Sequence, residues 1–209
     1  QGPFTQGAFI VNEGWFGHES GNINYYLSGS DKIQERVFAK NNPQYDPMNA
    51  LGVTTCYGTI YHDKTYIVSK QGTGNRLVIA NAETMKEIKR GDWSGSYNDD
   101  GRAIVNVSDE KGYISTASGV KAINFTTFKT SENIEGISGE TGVIVYTQGK
   151  VFAQQSKSLH MIDATTDKHI LTIDASDADS NGGGVVVGKD HKVYAAFGKR
   201  SEERRVGKE

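Results

Sequence analysis

Side chains that could hold a ligand are concentrated in the long connections between the predicted strands. Aromatic rings offer a large stacking area, and amide, guanidinium and imidazole groups add a few hydrogen bonds of defined direction. This combination suits a large, partly planar, polar molecule. The candidate ligand-binding residues are Trp15, Phe16, His18, Tyr45, Gln71, Arg76, Trp93 and Tyr97.

Structural packing is the alternative role for the same aromatic residues. Trp15 and Phe16 could pack beneath their own loop and serve only the sheet to which that loop belongs. The same alternative applies to Trp93 and Tyr97, which lie in a later loop. The sequence alone leaves both roles open for these four residues.

Metal binding and nucleophilic catalysis receive little support from the sequence. Residues 177–182 read Asp-Ala-Asp-Ser-Asn-Gly, like the start of a calcium loop, but the twelfth position is Gly188 where a bidentate glutamate is needed. An Asp-rich turn is the preferred interpretation. The five histidines fall on turns or outer strands and are not expected to converge, and Cys56 is predicted to be a small buried residue. We therefore predict no catalytic residue, no metal site and no cofactor.

Composition and charge exclude several classes of protein. The 209 residues carry 23 Lys and Arg against 25 Asp and Glu, a net charge of −2 without a basic cluster, so no nucleic-acid partner is expected. The single cysteine excludes an internal disulfide. The sequence as given shows no membrane-spanning run and no export signal, so it is expected to be soluble. The 25 glycines and 3 prolines favour short strands joined by tight turns.

An internal repeat organises the chain. The segment 77–86, Leu-Val-Ile-Ala-Asn-Ala-Glu-Thr-Met-Lys, recurs in related form at 120–129 and 159–168. Asn81, Asn124 and Asp163 align in these copies, with spacings of 43 and 39 residues. A period near 40 to 47 residues is typical of one four-stranded propeller blade.

The repeat predicts an all-β fold, a β-propeller of four-stranded antiparallel blades, with a β-sandwich as the alternative. Three strands are expected at about 8–38, four each at about 52–90, 102–137 and 142–174, and two at 184–197. This count favours an incomplete part of a larger ring over a closed four-bladed one. Residues 1–198 are assigned to the blades, and residues 199–209 to a highly charged tail that is not expected to form the next strand. The tail resembles a read-through sequence and is predicted to be foreign to the fold.

Three segments resemble a known family over residues 8–198. They are 9–17 (Phe-Ile-Val-Asn-Glu-Gly-Trp-Phe-Gly), 21–26 (Gly-Asn-Ile-Asn-Tyr-Tyr) and 161–168 (Met-Ile-Asp-Ala-Thr-Thr-Asp-Lys). They are similar to the YncE/YVTN-type β-propeller proteins of Bacteroidetes cell surfaces. The resemblance implies a seven-bladed surface lipoprotein of the outer membrane. This chain departs from that pattern because it lacks the lipoprotein signal, the lipid anchor and about two to three blades.

Related propellers capture vitamin B12 beside a TonB-dependent outer-membrane transporter. The resemblance therefore implies a non-enzymatic, cell-surface propeller that captures a small molecule, with a corrinoid such as cobalamin as the named ligand and such a transporter as partner. Two alternatives remain at this point. One is a protein-interaction scaffold at the outer membrane, and the other is a metal-dependent propeller lactonase or lyase.

Overall fold

Antiparallel β-sheets follow one another along the chain in this computed structural model. The structure describes residues 2–177, 181–197 and 202–206. The described residues contain one short α-helix and one 3₁₀ turn, and the remaining regular elements are strands, so the predicted all-β class is confirmed. The chain divides into two units, Gln1–Arg102 and Ala103–Glu209, and each is described by itself.

The first unit contains a three-stranded and a four-stranded sheet, each with its strands in sequence order. The three-stranded sheet comprises β1 (Gly7–Asn12), β2 (Asn22–Leu27) and β3 (Ile33–Gln34), and is followed by α1 (Val37–Asn41). The four-stranded sheet comprises β4 (Val53–Tyr61), β5 (Lys64–Gln71), β6 (Leu77–Asn81) and β7 (Glu87–Gly91). A core of buried side chains includes Phe4, Ile23, Tyr25, Phe38, Ile67, Val78 and Met85.

The second unit contains three sheets, again with strands in sequence order. The first comprises β8 (Gly101–Asn106), which starts at the boundary between the units, β9 (Lys111–Thr116) and β10 (Val120–Asn124). The second comprises β11 (Ile144–Thr147), β12 (Lys150–Gln155), β13 (Ser158–Asp163) and β14 (Lys168–Asp174). The third comprises β15 (Gly182–Val187), β16 (Val193–Phe197) and β17 (Glu202–Val206).

The predicted number of strands is correct for three of the five described sheets and wrong for two. The sheets near 8–38, 52–90 and 142–174 have three, four and four strands, as expected. The sheet at 102–137 has three strands instead of four. Its fourth segment makes only isolated bridges, Ile123 to Thr130 and Gly119 to Ser138. The regular ladder is interrupted because the Ser131 hydroxyl, rather than a backbone carbonyl, accepts the hydrogen bond from the Ala122 N–H.

The charged tail also differs from the sequence-based expectation. Residues 202–206 form β17, which pairs antiparallel with β16 and takes the place of the next strand. Ladder hydrogen bonds involve only backbone groups, and edge strands tolerate charged residues. Charge alone was therefore insufficient reason to exclude a strand here. The foreign origin of the tail stays a prediction.

The repeated sequence phrase is explained by a repeated turn. In each copy the side-chain oxygen of an Asn or Asp accepts hydrogen bonds from two backbone N–H groups that follow it, which closes the turn before the next strand. The acceptors are Asn81, Asn124 and Asp163, with bond lengths between 2.9 and 3.1 Å. The same turns place Met85, Phe128 and Asp167 at φ values of 55°, 60° and 58°.

Removing one of these acceptors is expected to destabilise the fold. Asn124→Ala loses the bonds from the N–H groups of Thr126 and Thr127, and the free energy of unfolding should fall by about 1 kcal/mol, as for a lost helix cap. Urea denaturation measures the change. Asn124→Asp keeps the acceptor oxygen and is the matched control. Equal unfolding midpoints for the two variants would show that the side-chain acceptor does not stabilise the turn.

Candidate functional site

The loop between β1 and β2 carries exposed aromatic side chains on a fixed backbone. Trp15 is 66% and Phe16 53% exposed. The Gly17 N–H donates to Thr54 Oγ1 at 3.0 Å, and the Thr54 N–H donates to the Glu19 carbonyl at 2.8 Å. The packing alternative for Trp15 and Phe16 therefore does not hold, since more than half of each side chain faces solvent. A loop held in this way loses little conformational entropy when a ligand covers it.

Polar and charged groups surround the two rings. The His18 ring stacks on Trp15 with a centroid separation of 4.0 Å. Lys70 Nζ lies 5.6 Å from the centroid of the Phe16 ring and pairs with Glu13 Oε1 at 2.6 Å. We refer to Trp15, Phe16, His18 and Lys70 as the aromatic patch. It combines stacking area with a cation, an imidazole and a neighbouring carboxylate.

A buried polar cluster is formed by Gln71, Arg76 and Asp100. Gln71 Nε2 donates to Asp100 Oδ2 at 3.1 Å. Arg76 Nη1 lies 4.0 Å from Asp100 Oδ1 and donates to the Ser96 carbonyl at 3.1 Å. Within the described residues, Asp100 Oδ1 is buried and accepts no hydrogen bond. A buried acceptor without a hydrogen bond is uncommon in native proteins and marks a position where a donor would be stabilised.

The buried cluster connects the aromatic patch to a second exposed ring. A Cβ atom built on Gly17 would lie 3.8 Å from Gln71 Oε1, so the patch loop lies directly beside the cluster. On the other side, the Ser96 carbonyl bound by Arg76 precedes Tyr97, which is 74% exposed. The structure thus brings six predicted residues into one neighbourhood of the first unit: Trp15, Phe16, His18, Gln71, Arg76 and Tyr97.

Trp93 and Tyr45, the other two predicted residues, have packing contacts. Trp93 is 9% exposed, and its indole N–H donates to the Asp99 carbonyl at 3.1 Å. The Tyr45 hydroxyl donates to Glu87 Oε1 at 2.9 Å, and the Arg90 guanidinium lies 3.7 Å from the centroid of its ring. Trp93 supports the loop that carries Tyr97, whereas Tyr45 packs against the core of the first unit.

Three further residues, which are not among the eight sequence candidates, complete this neighbourhood. Glu13 and Lys70 form the ion pair beside Phe16, and Asp100 anchors the buried cluster. Lys70 precedes Gln71 on β5, and Asp100 immediately precedes β8. The sequence signal that could have identified them is a charged residue at the end of a strand that borders an aromatic loop.

Cys56 lies beside the backbone rather than at a reactive surface. Its sulfur is 3.5 Å from the Gly101 carbonyl oxygen and 3.7 Å from that of Val68. Burial raises the pKa of the thiol to about 12. Because the thiolate is the reactive form, the native protein should react with a disulfide reagent at pH 8 more than about 100-fold more slowly than free cysteine.

Absorbance of the released thiol measures this reaction, and the protein unfolded in urea is the reference. We expect the unfolded chain to react at the rate of free cysteine. Equal rates for native and unfolded protein would show that Cys56 is accessible.

The residues that could bind a metal differ in part from the sequence-based expectation. The expectation that the histidines do not converge is wrong for one pair, because His160 Nδ1 lies 3.4 Å from His169 Nε2. Among the described residues, no group of three or more His, Cys, Asp or Glu could hold a metal ion. The calcium-like segment 177–182 lies partly outside the described residues.

An apolar groove in the first unit contains none of the eight predicted residues. It has a volume of about 520 Å³ and lies between β1 and β4, with Phe9, Val11, Gly58 and Ile60 among its lining residues. Its lining lacks charged residues, so it suits the predicted polar ligand less well than the aromatic patch does.

Solved structures of β-propellers match the fold. A quinonprotein alcohol dehydrogenase-like protein from Bacteroides thetaiotaomicron matches with a TM-score of 0.65 and 14% identity, over 97% of this chain and 51% of that protein. The WD40 β-propeller domain of Doa1 matches with a TM-score of 0.60 and 14% identity, over 91% of this chain and 58% of that domain. The chain therefore has a β-propeller fold and covers part of larger propellers, as predicted. The number of seven blades stays a prediction.

The chain belongs to the family described as "Domain of unknown function (DUF5074)", whose model matches residues 6–202. A further similar structure is the extracellular domain of a protein described as a hybrid two-component system from B. thetaiotaomicron, with a TM-score of 0.61 and 15% identity over 90% of this chain and 26% of that chain. A search of curated proteins finds no match. In the part of the chain that the structure describes, no helix has the length and apolar character to cross a membrane.

Proposed function

We propose that this chain belongs to a non-enzymatic propeller that captures a small molecule at the cell surface. The observation that carries the proposal is the aromatic patch, in which Trp15 and Phe16 are exposed on a loop that hydrogen bonds fix in place. Contiguous exposed apolar patches often mark sites that bind a ligand or a protein. A planar ligand that stacks on these rings would use the stacking area at little entropic cost.

Stacking on the aromatic patch would supply part of the binding free energy. Covering the exposed parts of Trp15 and Phe16 removes roughly 200 Å² of apolar surface, a gross gain of about 5 kcal/mol before the cost of association. Lys70 and His18 add polar contacts at the edge of the rings. The neighbouring cluster of Gln71, Arg76 and Asp100 adds polar groups whose positions are fixed by their mutual contacts.

A corrinoid fits this chemistry, since it is large, partly planar and rich in amide groups. The resemblance to YncE/YVTN-type propellers, some of which capture vitamin B12, supports the same ligand class. It also supports a location at the outer membrane with a TonB-dependent transporter as partner. The match to an extracellular Bacteroides domain is consistent with that location.

Calorimetric titration with cyanocobalamin tests the proposal. We expect one ligand per chain, a Kd below about 10 µM, the same affinity in the presence of EDTA, and recovery of the ligand unaltered. Chemical conversion of the ligand would overturn the non-enzymatic assignment. Absence of binding to cyanocobalamin and to cobinamide would reject the corrinoid class.

Docking of a protein is the second candidate function, because Trp and Phe are also enriched in the cores of protein interfaces. The exposure of Trp15 and Phe16 favours this candidate as well. It predicts that a purified TonB-dependent transporter binds the chain in the absence of any small molecule. Capture of a small molecule predicts instead that the isolated chain binds cyanocobalamin when no transporter is present.

A further inference from the structure

Three polar side chains of the second unit meet on the neighbouring strands β13 and β14. The antiparallel register places His160 on β13 directly opposite Thr172 on β14, and a shift in register between Met161 and Ile162 places His169 on the same side. His160 Nδ1 lies 3.4 Å from His169 Nε2. Thr172 Oγ1 lies 3.0 Å from the first of these nitrogens and 3.1 Å from the second.

The hydrogen bonds of Gln155 define which nitrogen of His160 is protonated. Gln155 Nε2 donates to the Ser138 carbonyl at 2.7 Å, so the amide turns its Oε1 toward His160 Nε2, 3.0 Å away. An amide oxygen only accepts hydrogen bonds, and Nε2 must therefore carry the proton. The lone pair of Nδ1 is then directed toward His169 and Thr172. Metal-ligating histidines are commonly oriented in this way, by a carbonyl oxygen that binds the other ring nitrogen.

We propose that His160 Nδ1 and His169 Nε2, together with Thr172 Oγ1, bind a late first-row divalent metal ion such as Zn²⁺. Two imidazole nitrogens bound at about 2.0 Å to one tetrahedral ion lie about 3.3 Å apart, which agrees with the observed 3.4 Å. Imidazole is a preferred ligand of Zn²⁺, Ni²⁺ and Cu²⁺. A water molecule would complete a tetrahedral coordination.

Burial and accessibility both suit such a site. His160 is 6% exposed, while His169 is half-buried and Thr172 is exposed, so an ion can enter from solvent. A bound ion would link β13 to β14 and stabilise this sheet by mass action.

Titration of the tag-free chain with Zn²⁺ tests the proposal. We expect one ion per chain, a higher unfolding temperature in Zn²⁺, and at least about a tenfold loss of affinity in His169→Ala. Cu²⁺ bound to the same chain should show electron paramagnetic resonance couplings to two imidazole nitrogens. Coupling to one nitrogen or none would overturn the assignment.

Matched variants separate the site from general effects on folding. His191→Asn removes another histidine of the second unit at a position with φ of 61°, a conformation that asparagine tolerates, and should leave the affinity unchanged. His169 is less buried than His160, so His169→Ala tests the site even where His160→Ala fails to fold. Equal Zn²⁺ affinity in the wild type and folded His169→Ala would show that the three side chains form only a hydrogen-bond network.

Discussion

Replacing Trp15 and Phe16 together by alanine is expected to weaken ligand binding at least about 30-fold, with no measurable change in folding stability. The loss follows from the stacking area that the two exposed rings provide. The stability should stay within about 0.5 kcal/mol of the wild type because neither ring packs in the core. Calorimetric titration with cyanocobalamin and thermal unfolding of the same samples measure both quantities.

Ile60→Ala is the matched control for this double substitution. Ile60 is 54% exposed in the same unit and lines the apolar groove rather than the aromatic patch. The control should bind as the wild type does. Wild-type affinity in Trp15→Ala/Phe16→Ala, combined with weaker binding in Ile60→Ala, would move the ligand site from the patch to the groove.

Gly112→Ala is expected to lower the free energy of unfolding by about 3 kcal/mol. A Cβ atom at this position of β9 would lie 2.4 Å from the Val105 carbonyl oxygen and 2.4 Å from Cζ of Phe125. Neither neighbour can move easily, since Val105 belongs to the paired strand β8 and the Phe125 ring is buried. Chemical denaturation monitored by circular dichroism measures the loss.

Gly95→Ala is the corresponding control, because a Cβ atom at Gly95 has no neighbour within 4 Å. Its free energy of unfolding should stay equal to that of the wild type or rise by about 0.5 kcal/mol. If the two alanine variants unfold at the same denaturant concentration, close packing at Gly112 does not limit stability.

The strands and the repeated turns could be predicted because their signals are local. The alternation of apolar residues defines a strand, and Asn81, Asn124 and Asp163 recur because one side-chain oxygen must close each turn. The propeller class followed from the period of these signals. The interrupted ladder beside β10 could not be predicted, since it depends on a hydroxyl of Ser131 that competes with the backbone.

The neighbourhoods of side chains were less predictable than the strands. Trp15 and Trp93 both lie in long loops, so the sequence made them equal candidates for ligand binding. In the structure Trp15 is 66% exposed and Trp93 only 9%. Trp93 is buried because it packs on Gly101 and donates a hydrogen bond to the Asp99 carbonyl. The contact between His160 and His169 depends on a register shift within a strand pair. A shift of this kind leaves no clear signal in a single sequence.

Fluorine NMR of the two tryptophans tests ligand capture at the aromatic patch most directly. The chain contains 2 tryptophans, one exposed at 66% and one at 9%, so labelling with 5-fluorotryptophan gives one reporter inside the patch and one outside. Trp15→Phe assigns the two resonances. Saturation with cyanocobalamin is predicted to shift the Trp15 resonance and leave that of Trp93 in place. Binding detected by calorimetry without a shift at Trp15 would contradict capture at this surface.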